Sequence, residues 1–198
     1  MISFLNKNQE EPYVKFRRFY NEARERNQNA IEAISISSYS SSKKEVDSRF
    51  VNLKFIDNTD FIFFTNYSSP KSIQFQEHDQ IAGVFYWQKI NMQIRMKGRI
   101  KKTSLDFNDR YFESRSLKKN ALAISSSQSK TIDSYENVKE KFQKILSEGS
   151  LKKCPEYWGG YSFTPYSFEF WKGHENRLNK RVLYTLEESN WIKRFLEP

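Results

Sequence analysis

The chain of 198 residues carries 33 Lys and Arg against 24 Asp and Glu, a net charge of +9. It is long enough for one sizeable core or two small ones, and with 17 Phe and 11 Tyr the aromatics must supply much of the buried volume. The charge calls for an anionic partner, yet it is spread along the chain without zinc-finger spacing, an RNP-type run or a long basic tract, so a phosphorylated small molecule is expected rather than nucleic acid.

The single cysteine, Cys154, excludes an intramolecular disulfide and fits a reducing compartment. With only two His beside it, no structural zinc site is expected. The first residues lack a signal-peptide core. No apolar run approaches the ~20 residues of a membrane helix. A soluble, cytoplasmic protein with no metal and no membrane contact is expected.

Residues 1–11 are polar and read as a mobile segment. From Pro12 the pattern turns helical, with Tyr13, Phe16, Tyr20 and Ala23 at spacings of three and four. Pro12 suits a first helical turn. Residues 33–39 (AISISSY) alternate as a half-buried strand does, and 40–45 read as a turn. Residues 46–56 (VDSRFVNLKFI) read as a second strand, with Val51, Leu53 and Phe55 on one face. A turn at 57–60 (DNTD) leads to a central strand at 61–65 (FIFFT). The connections are too short for crossover helices, so these three strands form an antiparallel meander.

Residues 71–77 read as a helix with Pro70 in its first turn. Its free N–H groups suit either an anion or an ordinary cap. Residues 81–87 (IAGVFYW) and 92–101 (MQIRMKGRIK) form a strand pair, and 104–113 a helix. The hydroxyl-rich stretch 118–129 reads as irregular. Residues 134–147 form an amphipathic helix with Val138, Phe142, Ile145 and Leu146 on one side. A linker at 149–157 precedes the last sheet region, which Trp158-Gly159-Gly160-Tyr161 opens and residues 168–171, 181–186 and 191–195 complete. The expected architecture is one α+β domain over residues 12–198: an antiparallel, barrel-like sheet flanked by helices.

Near the C-terminus a strand-like run ends on Trp171. Gly173 follows, and then Arg177 and Arg181, four apart. A flat apolar surface beside two cations suits a planar anion such as a flavin phosphate. The same residues also fit a hairpin with a core Trp and solvated Arg side chains.

Taken together, SRFVNLK at 48–54, Phe64-Thr65-Asn66, Lys71, Gln93, YFESR at 111–115, Gln128-Ser129, Trp158-Gly159-Gly160, and Glu169-Phe170-Trp171 through Arg177-Leu178 and Arg181 resemble the pyridoxine/pyridoxamine 5′-phosphate oxidases. The resemblance runs from about Pro12 to Pro198. It implies an antiparallel split β-barrel and a homodimer with FMN at the subunit interface. The implied reaction passes a hydride from the substrate carbon to FMN, with O2 as acceptor and H2O2 released. By position, the implied FMN contacts are Arg49, Phe50, Val51, Asn52, Leu53, Lys54, Phe64, Thr65, Lys71, Gln93, Gln128, Ser129, Trp171 and Arg181. The implied substrate site is Lys54, Tyr111, Arg115, Lys119, Arg177 and Asn179, with Arg177 beside the reacting ring as the catalytic candidate. Arg49 and Lys54 are five apart, so both reach one pocket only if their strand bends or ends. Tyr111 and Arg115 share a helix face if that helix continues.

The chain departs from the family pattern at several points. Pro70 stands where an Arg is usual, Lys119 where a Ser is usual, Asn179 where a His is usual, and Ser116 where a Pro is usual. The Arg-rich segment that covers the substrate in many members has no counterpart ahead of Pro12. These departures keep two other readings open. One is a paralogous FMN oxidase with a different substrate, of the kind found in phenazine biosynthesis. The other is a flavin-binding split barrel without catalysis.

Overall fold

The computed structural model describes residues 1–198, the side chain of Glu148 apart. Its elements, in chain order, are β1 (Ser3–Lys7), α1 (Glu11–Glu25), β2 (Ala33–Ser40), β3 (Glu45–Asn52), β4 (Phe55–Asn58), β5 (Asp60–Asn66), α2 (Pro70–Glu77), β6 (Gln80–Trp87), β7 (Met92–Lys102), α3 (Leu105–Ser114), α4 (Leu117–Ser125), α5 (Tyr135–Glu148), β8 (Trp158–Lys172), β9 (Lys180–Glu187) and β10 (Asn190–Leu196). A 3-10 turn, Gln88–Ile90, joins β6 to β7. The strands lie in the order β1-β4-β5-β8-β7-β6-β2-β3, with β9 on β8 and β10 on β9. The fold is an α+β split β-barrel.

The long strand β8 makes the split. One of its edges pairs with β7 from Tyr161 to Lys172. The other edge changes partner, taking β5 along Trp158 to Phe163 and β9 along Ser167 to Lys172. Between these stretches the β7–β8 register shifts at Lys97/Gly98. A Cβ on Gly98 would stand 2.7 Å from the Thr164 carbonyl oxygen, so the close approach at this bulge needs glycine.

Helix α1 closes the barrel with Tyr13, Phe16, Phe19, Tyr20 and Ala23. The Phe16 ring meets Phe61 at 5.2 Å, Phe85 at 5.4 Å and Trp87 at 5.5 Å. Each such buried side chain contributes roughly 1.5–3 kcal/mol. The aromatic-rich composition is used here.

Three expectations meet a different structure. Within the segment expected to be mobile, Ser3–Lys7 forms β1, parallel to β4. Ile2 and Phe4 explain it: Ile2 is buried, and the Phe4 ring packs on Tyr20 at 5.1 Å. The single strand expected over 46–56 is broken. β3 pairs with β2 and β4 with β5, and between them Leu53 N–H donates to Glu32 O while Lys54 N–H donates to Ile62 O. The stretch expected to be irregular is helix α4 as far as Ser125. Asn120 anchors it, donating to the carbonyls of Phe112 and Leu151, both at 2.8 Å. Ala121 is buried beneath it, and the serine run that suggested a loop mostly follows the helix.

Candidate active site

The break between β3 and β4 opens a cleft of about 1130 Å³. Its walls come from β3, β5, the first turn of α2, the end of α3, the start of α4 and residues 128–129. Of the predicted residues, Arg49, Phe50, Val51, Asn52, Lys54, Phe64, Thr65, Lys71, Tyr111, Arg115, Lys119, Gln128 and Ser129 line it. The strand break answers the parity problem: Arg49 and Lys54 lie on different sides of a bend and both face the cleft. Tyr111 and Arg115 meet there as well, although α3 ends at Ser114 and Arg115 is extended, at ψ 157°. A shared helix face is therefore not what joins them.

The charges fall into two groups. In the first, Arg49 is held by Ser38 Oγ at 2.6 Å, Gln74 Oε1 at 2.9 Å and the Asp47 carboxylate at 2.9 Å. Lys71 is only 6% exposed, and its ammonium donates to Ser69 Oγ at 3.1 Å and Thr65 Oγ1 at 3.2 Å. Among the described residues it has no ion-pair partner. Burial, reinforced by the Arg49 charge, pulls its pKa down to about 8. In the second group, burial and the neighbouring Lys119 and Arg115 lower the Lys54 pKa, against an upward pull from Glu32. Burial likewise lowers that of Arg115. The Arg115 guanidinium lies 4.4 Å from the Trp158 ring centre, and one of its terminal nitrogens is buried without a partner.

A run of stacked rings lies beside these cations. Phe64 stacks on Tyr111 at 4.0 Å and on Trp158 at 5.2 Å, with interplanar angles of 27° and 13°. Burial raises the Tyr111 pKa, so the phenol remains a hydrogen-bond donor through neutral pH. Gln128 Oε1 accepts from Thr65 Oγ1 at 3.0 Å and from Asn66 N at 3.2 Å, which fixes its amide at the cleft wall.

Leu53, Gln93, Trp171, Arg177, Asn179 and Arg181 do not line this cleft. Leu53 is a core residue with no exposed surface. Gln93, Trp171 and Arg181 stand directly opposite one another across β7, β8 and β9, on the face turned away from the buried Ile94, Phe170 and Val182. Glu169 holds Arg181 at 2.9 Å and Arg95 at 3.0 Å. Arg177 and Asn179 belong to the β8–β9 loop. Arg177 has φ 59°, and Asn179 Oδ1 accepts from His174 N at 3.1 Å, so that amide braces the loop.

Sequence reasoning assigned no site role to Glu32, Asp47, Ser114, Ser116 or Trp158, which also line the cleft. Trp158 had a signal, because it opens the Trp-Gly-Gly run. A Cβ on Gly159 would stand 2.2 Å from the Tyr67 hydroxyl, so glycine lets β8 start tightly packed there. Glu32 had none, since it precedes its strand and reaches the cleft only through the break.

The residues fit FMN on this structure's own terms. A nearly buried lysine with only hydroxyl partners, beside an arginine and along a stacked aromatic wall, matches a planar anion. The fold and the cleft together define a flavoprotein of the split-barrel class. Comparison with known proteins is more specific. Residues 158–198 match the pyridoxine 5′-phosphate oxidase C-terminal dimerisation region. The chain is 41% identical over 154 residues to a pyridoxine/pyridoxamine 5′-phosphate oxidase of Legionella pneumophila (strain Paris), covering 77% of this chain and 72% of that one. It is 34% identical over 190 residues to the Leptospira biflexa (strain Patoc 1 / Ames) enzyme of that name, covering 95% and 89%. Among solved structures it is similar to PhzG from Burkholderia lata 383 in complex with tetrahydrophenazine-1-carboxylic acid, at TM-score 0.90, 25% identity and coverage of 95% and 93%. The fold is also that of a pyridoxamine 5′-phosphate oxidase-related, FMN-binding protein from Nostoc punctiforme PCC 73102, at TM-score 0.79, 13% identity and coverage of 96% and 99%. The chain belongs to the pyridoxine/pyridoxamine 5′-phosphate oxidase family, a family of FMN-dependent oxidoreductases.

Proposed function

We propose that this chain is an FMN-dependent oxidase that converts pyridoxamine 5′-phosphate or pyridoxine 5′-phosphate to pyridoxal 5′-phosphate, with O2 as acceptor and H2O2 released. One observation carries the reading: a single aromatic-walled cleft holds two groups of cations, enough for two phosphates. Arg49 and Lys71 hold the flavin phosphate, with Thr65, Gln128 and Ser129 along the flavin. Lys54, Tyr111, Arg115 and Lys119 clamp the substrate phosphate.

The protein works as a homodimer in a reducing, cytoplasmic setting. Its second set of residues serves the partner's cleft. Gln93, Trp171 and Arg181 form one row, the last two within the stretch that matches the dimerisation region, and a two-fold axis can set that row against the cleft of the other copy. Arg177 and Asn179 then reach the substrate ring from the same loop.

When bound, FMN supplies the two-electron acceptor for the carbon that bears the amine or alcohol. The chain's own residues do the rest. The phosphate clamp fixes one end of the substrate, and the stacked rings keep its plane fixed. Lys71 and Arg49 neutralise charge in a partly dry site.

Visible spectra test this directly. A yellow protein should bleach when pyridoxamine 5′-phosphate is added without oxygen. A protein that stays yellow with every amine and alcohol substrate would overturn the oxidase reading and leave a flavin-binding protein. The clamp is tested by Arg115→Ala. KM for phosphorylated substrates should rise about 10- to 100-fold, the scale of a charge-assisted hydrogen bond, and far less for unphosphorylated pyridoxamine. Equal changes for both substrates would remove Arg115 from the phosphate site.

The likeness to PhzG and the loop-bracing role of Asn179 favour one second reading. In it the same cations take the carboxylate of a reduced aromatic acid. Bleaching by such an acid and not by pyridoxamine 5′-phosphate would select it.

A further inference from the structure

The substrate end of the cleft gathers Lys54, Arg115 and Lys119, and one carboxylate faces them, that of Glu32. The chain itself sets this meeting. Leu53 N–H donates to Glu32 O at 3.0 Å, so the backbone of Glu32 is clipped to the residue before Lys54 where β3 breaks. The Glu32 side chain is 23% exposed and lines the same cleft. Its second neighbour is the Met1 amine, at 3.3 Å.

We propose that Glu32 is a positioning residue for the phosphate clamp, the counter-charge that keeps Lys54 a cation among two others. This rests on the substrate end proposed above. Three like charges crowded into a partly buried space repel one another, and each favours loss of a proton by its neighbour. Lys54 is the member that burial presses toward losing one, whereas the Arg115 guanidinium does not titrate in this range. The groups that face it are Glu32 from just before β2, Tyr111 from the last turn of α3, Arg115 from just after that helix, and Lys119 from α4. Their summed effect with burial is downward, and Glu32 alone opposes it.

The role has a signature that a packing role lacks. When every cation is charged, removing Glu32 removes a repulsion from the incoming phosphate, so binding tightens. At high pH the same removal lets Lys54 lose its proton sooner, so binding weakens. The variant and parent curves therefore cross.

The test uses FMN-loaded protein, so that the flavin end is occupied. The probe is 4-deoxypyridoxine 5′-phosphate, which keeps ring and phosphate but lacks the oxidisable group, with inorganic phosphate as a second probe. Calorimetry gives affinity from pH 7 to 9.5 for parent, Glu32→Gln and Glu32→Asp. Glu32→Gln should bind as tightly or a few-fold tighter near pH 7 and several-fold weaker near pH 9.5. Glu32→Asp should keep the parent's profile. Parallel weakening at every pH, or superimposed curves, would overturn the proposal. If the parent binds inorganic phosphate but not the pyridoxine analogue, and the curves still cross with phosphate, Glu32 keeps its role and the substrate reading fails instead.

Discussion

Lys71→Met should stabilise the flavin-free protein and at the same time remove its hold on FMN. The physical ground is a cation 6% exposed whose hydrogen bonds go to two hydroxyls, Thr65 Oγ1 at 3.2 Å and Ser69 Oγ at 3.1 Å. Methionine is close to lysine in length and carries no charge to bury. The hydroxyls left behind keep partners, because Thr65 donates to Gln128 at 3.0 Å and Ser69 meets Ser72 at 3.1 Å. A lysine held at about 8 rather than its ordinary 10.5 marks a penalty on the order of 3 kcal/mol at most. Part of that returns as lost packing and lost hydrogen bonds, so a gain of about 1–2 kcal/mol is expected. For a chain of this size that raises Tm by roughly 2–8 °C.

The sign with pH follows from linkage. Below about 8 Lys71 is protonated in both folded and unfolded chains, and the full penalty is present. Between about 8 and the unfolded value the folded chain binds fewer protons, so stability from this group rises with pH. The stability difference between Lys71→Met and the parent should therefore shrink from pH 8 to 10. Thermal melts of both proteins, flavin-free, read the difference directly and cancel the other titrating groups. With FMN added the order should reverse, since the phosphate rewards the cation that the empty site penalises. A variant less stable than the parent without flavin, or one that retains FMN at parental affinity, would sink the argument.

Local pattern carried much of the fold. The helices over 11–25, 70–77 and 135–148, the strand pair β6–β7 and the strands β9 and β10 lie where periodicity and turn residues put them, while β8 runs unbroken from Trp158 to Lys172 through the gap expected between 161 and 168. Patterns failed where a tertiary contact decided. The break at Leu53-Lys54 is invisible in an alternating run, because it depends on Glu32 and Ile62 capturing backbone N–H groups from elsewhere in the chain. Helix α4 was hidden by serines at its end, while the residue that anchors it, Asn120, ranks low as a helix former. At the site, residue chemistry pointed to cations and aromatics, but not to their partition. Nothing in a linear sequence says that Arg49 and Arg181 lie in separate places on one chain, Arg49 in the cleft and Arg181 outside it.

That partition yields the second large effect. If Arg49 of one subunit and Arg181 of its partner complete each flavin site, Arg49→Ala and Arg181→Ala should each weaken FMN binding by about 10- to 100-fold, the scale of a charge-assisted hydrogen bond. Mixing the two variants should then restore part of it. Equal amounts, dissociated and reassociated, give roughly half mixed dimers by chance, and an isologous two-fold dimer has two sites. In a mixed dimer one site carries both substitutions and the other carries neither. About a quarter of all sites should regain parental affinity, read as tight stoichiometric quenching of flavin fluorescence. The Glu169 ion pair at 2.9 Å supports the choice of Arg181, since it fixes the guanidinium on the sheet face before any partner arrives. Two arginines that served a flavin within one chain would give no restoration in any mixture, because no subunit would own a complete set. Restoration without dimer formation is equally excluded by the geometry, as Arg181 does not line the cleft of its own chain. Tight sites near one quarter, present only after reassociation, thus follow from a shared site and from neither alternative.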